Sequence, residues 1–237
     1  MIGKSVQISV IVPALNEQKY IRIVLFGLGR QAYRNFEVVV VDGNSRDRTR
    51  EIAKPYGRVI VEKGKGVGRA RNSGARIAKG SVLVFLDADT KPSEGLLSAY
   101  AREFRDPRVV AATGPILPLE ETTGKVRLGY RFVSVFFVKL SIALHRPTFI
   151  GSNFAVRKGA FEMAGGFNER FITYEDWDLS ARLQKYGRMI FANDAVAYTS
   201  VRRVRKWGMA RYFFYYMVNM FRHRLFKSTN RTYAPVR

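Results

Sequence analysis

An apolar run that ends in two closely spaced carboxylates constrains this chain more than any other feature of it. Residues 82–86 are Val-Leu-Val-Phe-Leu, and Asp87 and Asp89 follow directly. An apolar run without alternation, rich in β-branched and aromatic residues, is typical of a strand buried on both faces. Ligands of open α/β sheets gather at strand carboxyl ends, where two such carboxylates could share one hard cation. The alternative is an acidic turn that caps a helix starting near Pro92.

The first half of the chain alternates between strand and helix signals. Strands are predicted from the apolar segments 6–12, 36–41, 58–61 and 82–86. Helices are predicted over about 17–29 with Asn16 as cap, from Ser45 or Asp47 to about Tyr56, and over about 68–78 after a glycine-rich loop. This alternation predicts an α/β fold with a mostly parallel central sheet flanked by helices.

The second half is less regular. A helix over about 93–104 and a strand over about 109–114 continue the sheet. Two further segments, 128–144 and 211–226, are apolar and aromatic with cations at helical spacing. In the first, polar residues share one arc of a helical wheel: Arg127, Arg131, Ser134, Lys139, Ser141 and Arg146. Because this segment is short of a bilayer span, we expect both to lie in a membrane interface, with core packing or a homodimer contact as the alternative.

Composition excludes several classes of site. The chain has 237 residues, 47% of them hydrophobic and 25% charged, which is typical of a globular domain with a substantial core. It has no cysteine and only two histidines, His145 and His223, which excludes disulfides, thiolate zinc sites, cysteine nucleophiles and histidine-rich metal sites. Asn16 and Glu17 soon interrupt the first apolar stretch, so we expect no signal peptide and a cytoplasmic location.

The positive charge predicts anionic partners. Lysine and arginine number 41 against 19 acidic residues, which gives a formal net charge of +22. Nucleotide phosphates, nucleic acid and an anionic membrane surface would all suit this charge. No acidic residue follows Asp194, whereas ten lysines and arginines lie from Arg202 to Arg237. We therefore expect an α/β domain over residues 1–200 and a basic, aromatic-rich amphipathic tail over 201–237.

Polar segments stand at the predicted carboxyl ends of successive strands and continue into the second half. They are Pro13-Ala14-Leu15-Asn16-Glu17, Asp42-Gly43-Asn44-Ser45-Arg46-Asp47, the glycine-rich segment 64–74, Asp87-Ala88-Asp89, Gly151-Ser152-Asn153 and Tyr174-Glu175-Asp176-Trp177-Asp178-Leu179. In order and spacing this set resembles the family 2 glycosyltransferases over roughly residues 7–200. The resemblance implies a GT-A fold and an inverting, metal-dependent transfer of a sugar from a nucleoside-diphosphate donor.

The resemblance gives the first two segments a donor-binding role. Pro13, Ala14 and Glu17 match a loop that contacts the nucleotide, and Asp42 matches the acid that accepts from an N–H group of the base. Many family members carry two acids in a row where this chain has Asp42 and Gly43. The base, uracil or guanine, is therefore left open, and a turn or an Asx-turn is the structural alternative for these residues.

The next two segments would hold the diphosphate and a metal ion. Arg71 lies in a helix of small residues and could neutralise a diphosphate oxygen, although Arg69 or Arg76 could point inward instead. Asp87 and Asp89 match the Asp-x-Asp motif of the family. The resemblance makes Asp89 the direct ligand of Mn²⁺ or Mg²⁺ and places Asp87 nearer the ribose or behind the metal.

The remaining segments would form the acceptor side. Asp176 matches the general base of the family, and Asp178 is expected to stabilise the first turn of a helix instead. The acceptor side is matched by Gly151, Ser152, Asn153 and Glu175. Farther on, Arg202, Arg203, Lys206 and Trp207 stand where processive relatives carry Gln-x-x-Arg-Trp, which this chain lacks. These residues would contact the diphosphate or lipid headgroups.

The sequence thus predicts an inverting glycosyltransferase that uses a UDP- or GDP-sugar. The expected acceptor is a polyprenyl phosphate or a lipid-linked saccharide at the inner face of the cell membrane, where the protein would bind peripherally. Two rival functions are a nucleotidyltransferase, which normally has a glycine-rich signature with a lysine after the first strand, and a nucleic-acid-binding protein. The second rival would need a basic face interleaved with stacking aromatics, and we expect no nucleic-acid partner.

Overall fold

A seven-stranded sheet forms the centre of the molecule. The computed structural model describes residues 7–208 together with 211, 212, 214, 215 and 218. In chain order the strands are β1 (Ile8–Ala14), β2 (Phe36–Asp42), β3 (Arg58–Val61), β4 (Val82–Leu86), β5 (Thr90–Pro92), β6 (Val109–Thr113), β7 (Ile116–Pro118), β8 (Asn153–Arg157), β9 (Arg188–Phe191) and β10 (Ala197–Thr199). The central sheet has the order β3-β2-β1-β4-β8-β6-β9, and β8 alone in it runs antiparallel to its neighbours. The predicted α/β fold is confirmed.

Helices cover both faces of this sheet. They are α1 (Ile21–Gly29), α2 (Thr49–Ala53), α3 (Val67–Ile77), α4 (Leu96–Glu103), α5 (Gly124–Arg131), α6 (Val138–Ala143), α7 (Lys158–Met163), α8 (Glu175–Leu183) and α9 (Arg202–Trp207). A π-helical segment, Phe132–Phe137, joins α5 and α6 into one rod. Within the described residues, no helix is both long enough and apolar enough to cross a bilayer.

Strand β4 divides the core into two clusters. All five of its side chains are completely buried, as the unbroken apolar run predicts. Val82, Val84 and Leu86 pack with residues of α1 and α4 on one face of the sheet. Leu83 and Phe85 pack on the other face, where Phe85 contacts the rings of three further phenylalanines. Burial of a strand on both faces fixes its register, so the residues after Leu86 emerge at a defined point.

Two features that the sequence pattern did not predict bring distant segments to the end of β4. Antiparallel β8 pairs Asn153 with Leu86, so residues 151 and 152 come to the same edge of the sheet as Asp87. A small second sheet of order β5-β10-β7 pairs Thr199 with Thr90, and the N–H of Ser200 donates to the carbonyl of Asp89. The chain after residue 199 therefore begins beside the Asp-x-Asp turn.

The loop between β1 and α1 differs from the prediction. Strand β1 extends through Pro13 to Ala14, and proline is tolerated there because pairing with β4 ends at Ile11. Helix α1 begins at Ile21, not near Glu17, and Asn16 has φ = 54° instead of a cap conformation. The intervening backbone is used to bind the loop after β2: the Asn16 and Glu17 N–H groups donate to the hydroxyls of Ser45 and Thr49.

The rod from α5 to α6 confirms a helix in the 128–144 segment, but its polar residues do not share one face as the predicted single arc requires. Ser134 and Ser141 are buried and hydrogen-bond to backbone groups, whereas Arg127 and Arg131 are exposed. The polar residues thus divide between the inside and the outside of the protein. The other predicted amphipathic segment, 211–226, lies mostly outside the described residues.

The division at residue 200 stays a prediction, but the start of the expected tail packs on the sheet domain. Val201 and Val204 are buried, and the carboxylate of Glu120 accepts from the Ser200 hydroxyl and the Val201 N–H at 2.6 and 2.8 Å. The bonds to Glu120 hold the start of α9 against the segment that follows β7.

Candidate active site

Carboxylates from three elements converge at one edge of the sheet. Asp42 ends β2, Asp87 and Asp89 follow β4, and Glu175 and Asp176 begin α8. Parallel strands bring their carboxyl ends to the same edge, and the first turn of a helix is a favourable place for acids because of the positive end of the helix dipole. These carboxylates form a rim with a β-strand side and a helix side.

Asp42 offers a buried acceptor at the strand side. Its side chain is completely buried, and one oxygen accepts from the Ser45 N–H at 2.9 Å and pairs with Arg50 at 3.3 Å. The other oxygen, Oδ1, has no hydrogen-bond partner among the described residues. Because buried polar atoms are nearly always hydrogen-bonded, Oδ1 is suited to accept from a ligand N–H group.

Arg71 joins the two sides of the site. Its guanidinium is 97% buried, with Nη2 2.8 Å from Asp87 Oδ1 and Nη1 2.7 Å from Glu175 Oε1. Burial lowers the pKa of Arg71, but Asp87 and Glu175 outweigh that effect and raise it above its usual value. Arg69 pairs with Glu169 in solvent and Arg76 is exposed, so Arg71 is the inward-pointing arginine of the three.

These ion pairs give Arg71 a positioning role. Both of its terminal nitrogens are bound by protein carboxylates, so the side chain positions Asp87 and Glu175, while its contact with a diphosphate stays a prediction. Gly151 makes the arrangement possible, since a Cβ at that position would lie 2.7 Å from Arg71 Nη1.

Asp176 faces the site from the helix side. One carboxylate oxygen accepts from the Gly151 N–H at 2.7 Å and the other from the Trp177 N–H at 2.9 Å. Burial raises the pKa of Asp176, against the charge of Arg71 and these two hydrogen bonds. Burial and the adjacent Asp176 also raise the pKa of Glu175, to about 7, despite its pairing with Arg71. Each oxygen of Asp176 keeps a lone pair for a further donor.

Arg202 closes the strand side from α9. Its guanidinium binds both oxygens of Glu17 at 2.7 and 2.8 Å, and Nη2 also lies 3.1 Å from Asp89 Oδ2. Burial and the charge of Asp87 raise the pKa of Asp89 to about 7, although Arg202 acts in the opposite direction. A cation already lies beside Asp89, where the resemblance places a metal ion.

The other predicted residues on β1 and before β8 differ in their access to this rim. Pro13 and Ala14 lie at the end of β1, and Ser152 is half-buried beside Gly151. The predicted acceptor-side position of Asn153 is corrected by the structure. Its side chain is completely buried and hydrogen-bonds to Tyr100 and to the Ala195 carbonyl, so it is not available to an acceptor.

Of the other predicted residues in α9, Arg203 lies near enough for its charge to lower the pKa of Asp89, against the larger effect of burial. Lys206 is exposed, and Arg203 lies over the ring of Trp207 at 5.7 Å. Asp178 is paired with Arg182 at 2.7 Å, one helical turn on, which agrees with the structural role expected for it.

Two aromatic residues lie near the rim without a role predicted from the sequence. Burial raises the pKa of Tyr130 in α5, and the charges of Tyr212 and Asp89 add to this effect, which places the phenol near the Asp-x-Asp turn. Tyr174 precedes α8 in the left-handed conformation, φ = 67°, and its ring lies 4.6 Å from that of Trp177. Such a conformation in a non-glycine residue is a feature of functional sites. Neither residue has a distinguishing sequence pattern, because both lie among other aromatics.

The family follows from this arrangement together with a match to a family model. The model described as glycosyl transferase family 2 matches residues 9–164, which is more than half of the chain. This chain belongs to glycosyltransferase family 2. A second model, described as the N-terminal domain of galactosyltransferase, matches residues 131–209 and so includes α8 and α9.

Curated relatives agree with this assignment. A PGL/p-HBAD biosynthesis glycosyltransferase of Mycobacterium tuberculosis is 30% identical over 184 residues, which covers 73% of this chain and 68% of the relative. Glycosyltransferase AglE of Haloferax volcanii is 28% identical over 199 residues, covering 80% and 65% of the two chains. This family 2 chain therefore spans about two thirds of the length of these relatives.

Solved structures confirm the GT-A fold. The mannosyltransferase PcManGT from Pyrobaculum calidifontis, in complex with GDP-Man and Mn²⁺, superposes with a TM-score of 0.69 at 22% identity, covering 91% of this chain and 65% of that one. S. aureus TarS 1-349 in complex with UDP-GlcNAc gives 0.62 at 23% identity, covering 82% and 58%. Likeness at this level of identity supports the fold alone.

The donor atoms of the site fit a magnesium or manganese ion in one specific way. No group of three or more acidic or histidine side chains within the described residues could hold a metal. However, Mg²⁺ is commonly bound by one or two carboxylates together with substrate phosphates and water, and Asp87 and Asp89 supply such a pair. A family 2 site of this kind would hold the ion only together with the diphosphate of the donor.

Proposed function

We propose that this chain is an inverting, metal-dependent glycosyltransferase that transfers a sugar from a UDP- or GDP-linked donor to a lipid-linked acceptor at a membrane surface. The observation that carries the proposal is the Arg71 bridge, which holds Asp87 on the donor side and Glu175, next to Asp176, on the acceptor side. Family membership and the fold support the transferase class and set aside the two rival functions.

The donor would bind along the strand side. Asp42 Oδ1 would be the buried acceptor for an N–H group of the base, and Asp87 and Asp89, which follow β4, would lie beside the diphosphate. Bound there with its metal ion, the diphosphate would leave more easily, since a divalent cation stabilises the negative charge of the leaving group. Arg202 would exchange its contact with Asp89 for one with the diphosphate.

Asp176 would act as the general base on the acceptor side. An acceptor hydroxyl oxygen forms a bond to C1 of the sugar from the face opposite the diphosphate, while the bond between C1 and the phosphate oxygen breaks. The hydroxyl proton passes to the Asp176 carboxylate, and the nucleoside diphosphate keeps the electron pair. The raised pKa of Asp176 favours this role, because a stronger carboxylate base removes a proton more readily.

A thermal-shift panel tests the donor. The protein is heated with UDP-Glc, UDP-GlcNAc or GDP-Man, each with and without Mn²⁺, and Asp89→Asn serves as the control variant. A donor at a hundred times its Kd adds about 2.7 kcal/mol of stability, which for a chain of this size is a rise in melting temperature of roughly 5–10 °C. We expect one donor to give this shift with Mn²⁺ and a much smaller one in Asp89→Asn. No shift with any donor would count against the proposal.

A transfer assay tests the acceptor. The identified donor is supplied with a polyprenyl phosphate, with a lipid-linked saccharide, or with a free sugar, and the anomeric configuration of the product is read by NMR. Transfer to either lipid with inversion at C1 supports the proposal. Transfer to the free sugar alone would show that the acceptor is not lipid-linked, and a retained configuration would exclude the mechanism.

A further inference from the structure

The rod formed by α5, the π-helical segment and α6 presents large apolar side chains to solvent. Leu128, Phe132, Phe136, Leu140 and Leu144 are 69, 56, 56, 42 and 63% exposed. We refer to these five residues as the outer stripe. The rings of Phe132 and Phe136 stack on each other with centroids 5.2 Å apart. An exposed set of this size on one face marks an interaction surface rather than chance exposure.

The π-helical segment keeps the outer stripe in line. In a regular α-helix, residues four apart drift by about 40° per step, so the ends of a stripe with five members would lie about 160° apart. A π-helical turn contains one additional residue and takes back about 100°, which leaves the ends within about 60°. The segment Phe132–Phe137 lies in the middle of the stripe and therefore gathers it on one face.

The inner face of the rod, which packs on the protein, contains two buried serines. Ser134 is buried and its hydroxyl donates to the Ile116 carbonyl, and the hydroxyl of buried Ser141 donates to the Val138 carbonyl. A helix that faces water normally turns its polar side outward and its apolar side to the core. Here two serines face the protein together with the core residue Val138, while phenylalanine and leucine face out, as in a helix with an apolar surrounding.

The charged residues along the rod indicate which apolar surrounding suits the outer stripe. No acidic residue lies between Glu121 and Glu162, while Lys125, Arg127, Arg131 and Arg146 are all exposed along the rod. Arg127 and Arg131 each precede a member of the stripe, so cations border the apolar face. Lysine and arginine beside an interfacial apolar face attract anionic lipid headgroups.

We propose that the outer stripe lies in the surface of an anionic phospholipid bilayer, with the bordering cations among the headgroups. A second copy of this chain fits the same surface less well. In a two-fold interface the same patch meets itself, so the arginines of both copies would face each other without carboxylates between them. A bilayer offers apolar depth and negative charge together.

This inference deepens the proposed function, on which it rests for the nature of the acceptor. The opposite side of the rod borders the candidate active site: Phe137 stacks on Trp177 with centroids 6.1 Å apart, and Trp177 follows Asp176. A bilayer at the outer stripe would therefore lie within one helix diameter of the acceptor side, about 10 Å. A lipid-linked acceptor could reach Asp176 without leaving the membrane.

Vesicle co-sedimentation of the full chain tests the docking surface. The vesicles contain phosphatidylglycerol and phosphatidylcholine or phosphatidylcholine alone, and the double variant F132S/F136S is compared with F26S. Phe26 in α1 is 57% exposed, so it is a matched control for loss of one exposed ring. We expect binding to the anionic vesicles only, weakened on the order of tenfold or more by F132S/F136S and unchanged by F26S.

The absence of native cysteine allows a direct second measurement. A polarity-sensitive fluorophore is attached to F136C and, as the control, to F26C. Its emission should shift to the blue with anionic vesicles at position 136 and stay constant at position 26. Equal shifts at both positions, or equal vesicle binding by F132S/F136S and the unaltered chain, would overturn the inference.

Two further outcomes separate this inference from its alternatives and from the proposed function. Loss of a dimer in F132S/F136S by sedimentation velocity, without a change in vesicle binding, would assign the stripe to a second copy and overturn the bilayer proposal.

The thermal shift with nucleotide sugar and Mn²⁺ should be the same in F132S/F136S and the unaltered chain. If that shift persists while vesicle binding is absent, the bilayer inference alone fails; if vesicles bind and no donor shifts the protein, the proposed function fails.

Discussion

Arg71 and Glu175, 104 residues apart in the sequence, form a buried ion pair with 2.7 Å between nitrogen and oxygen. The other terminal nitrogen of Arg71 holds Asp87, so one guanidinium spans from the end of β4 to the start of α8. A group transfer requires donor and acceptor atoms in a fixed near-attack geometry. The ion pair sets that geometry before either substrate binds.

Removal of this guanidinium should destabilise the fold. Arg71→Ala leaves Glu175 and Asp87 without their cation, and loss of one partner of a buried pair costs about 3–5 kcal/mol. Urea denaturation should show that loss in the free energy of unfolding. The control is Arg69→Ala in the same helix, whose exposed pair with Glu169 is worth at most about 1 kcal/mol. Equal stability of the two variants would show that the Arg71 bridge does not contribute to the fold.

Gly151→Ala should disturb the same bridge from the other side. Its Cβ would lie 2.7 Å from Arg71 Nη1, and the guanidinium cannot move without lengthening one of its ion pairs. We expect a loss of about 1–3 kcal/mol, as for overpacking of a core, and reduced transfer activity. Gly159→Ala is the control, because nothing lies within 4 Å of a Cβ there. If both glycine variants keep full activity, the space that Gly151 leaves beside the Arg71 guanidinium is not required for transfer.

Much of this fold follows from local patterns. The run 82–86 predicts a strand buried on both faces because no polar residue interrupts it, and residues 38–41 of β2 are a buried run of the same kind. Parallel strands bring their carboxyl ends together, so the positions of Asp42, Asp87 and Asp89 at one edge follow from chain order alone.

The sequence did not predict features that depend on contacts between distant segments. Antiparallel β8 and the small sheet of β5, β7 and β10 are set by pairing across more than forty residues, which no local pattern records. The two nitrogens of Arg71 are bound by carboxylates 16 and 104 positions away, so its positioning role could not be predicted from its helix alone. The sequence also did not predict which side of the 128–144 helix faces inward, because serine can lie on the buried side of a helix or on its exposed side.

Arg202→Ala should increase the response of the protein to a divalent cation alone. Arg202 neutralises Glu17 and Asp89 in the absence of donor, so its removal leaves two carboxylates that are less than one fifth exposed without a cation. Mn²⁺ should then raise the melting temperature of Arg202→Ala more than that of the unaltered chain. Lys206→Ala, an exposed change in the same helix, should respond as the unaltered chain does. A smaller Mn²⁺ response in Arg202→Ala would contradict this role.

Asp89 should make stability depend on pH. Its pKa rises from an ordinary 3.8 to about 7 because of burial and Asp87. The protonated carboxyl is thus favoured by folding, and this contribution is lost as pH rises toward 7. The amide in the Asp89→Asn variant cannot ionise. The free energy of unfolding of this variant, relative to that of the unaltered chain, should therefore rise by about 1–4 kcal/mol between pH 4.5 and 8.

The control for this measurement is Asp47→Asn. Burial raises the pKa of Asp47, but hydrogen bonds from Thr49 and Gln18 outweigh it and hold that pKa below 3.8. Asp47 is therefore ionised in both states throughout the range tested, and its variant should differ from the unaltered chain by a constant amount. A constant difference for Asp89→Asn as well would show that Asp89 does not titrate as expected.

Asp176→Asn should separate catalysis from binding and identify the chemistry of the acceptor. The amide oxygen of asparagine can still accept from the Gly151 N–H, so the fold and the donor-induced thermal shift should persist. Transfer to a hydroxyl acceptor should fall by about 10²–10⁴-fold, the usual contribution of a general base. A phosphate acceptor is already ionised near neutral pH and needs no base, so near-normal turnover with a polyprenyl phosphate would exclude a hydroxyl acceptor. Asp178→Asn, one residue beyond Trp177, should leave turnover unchanged with either acceptor, because its carboxylate is paired with Arg182.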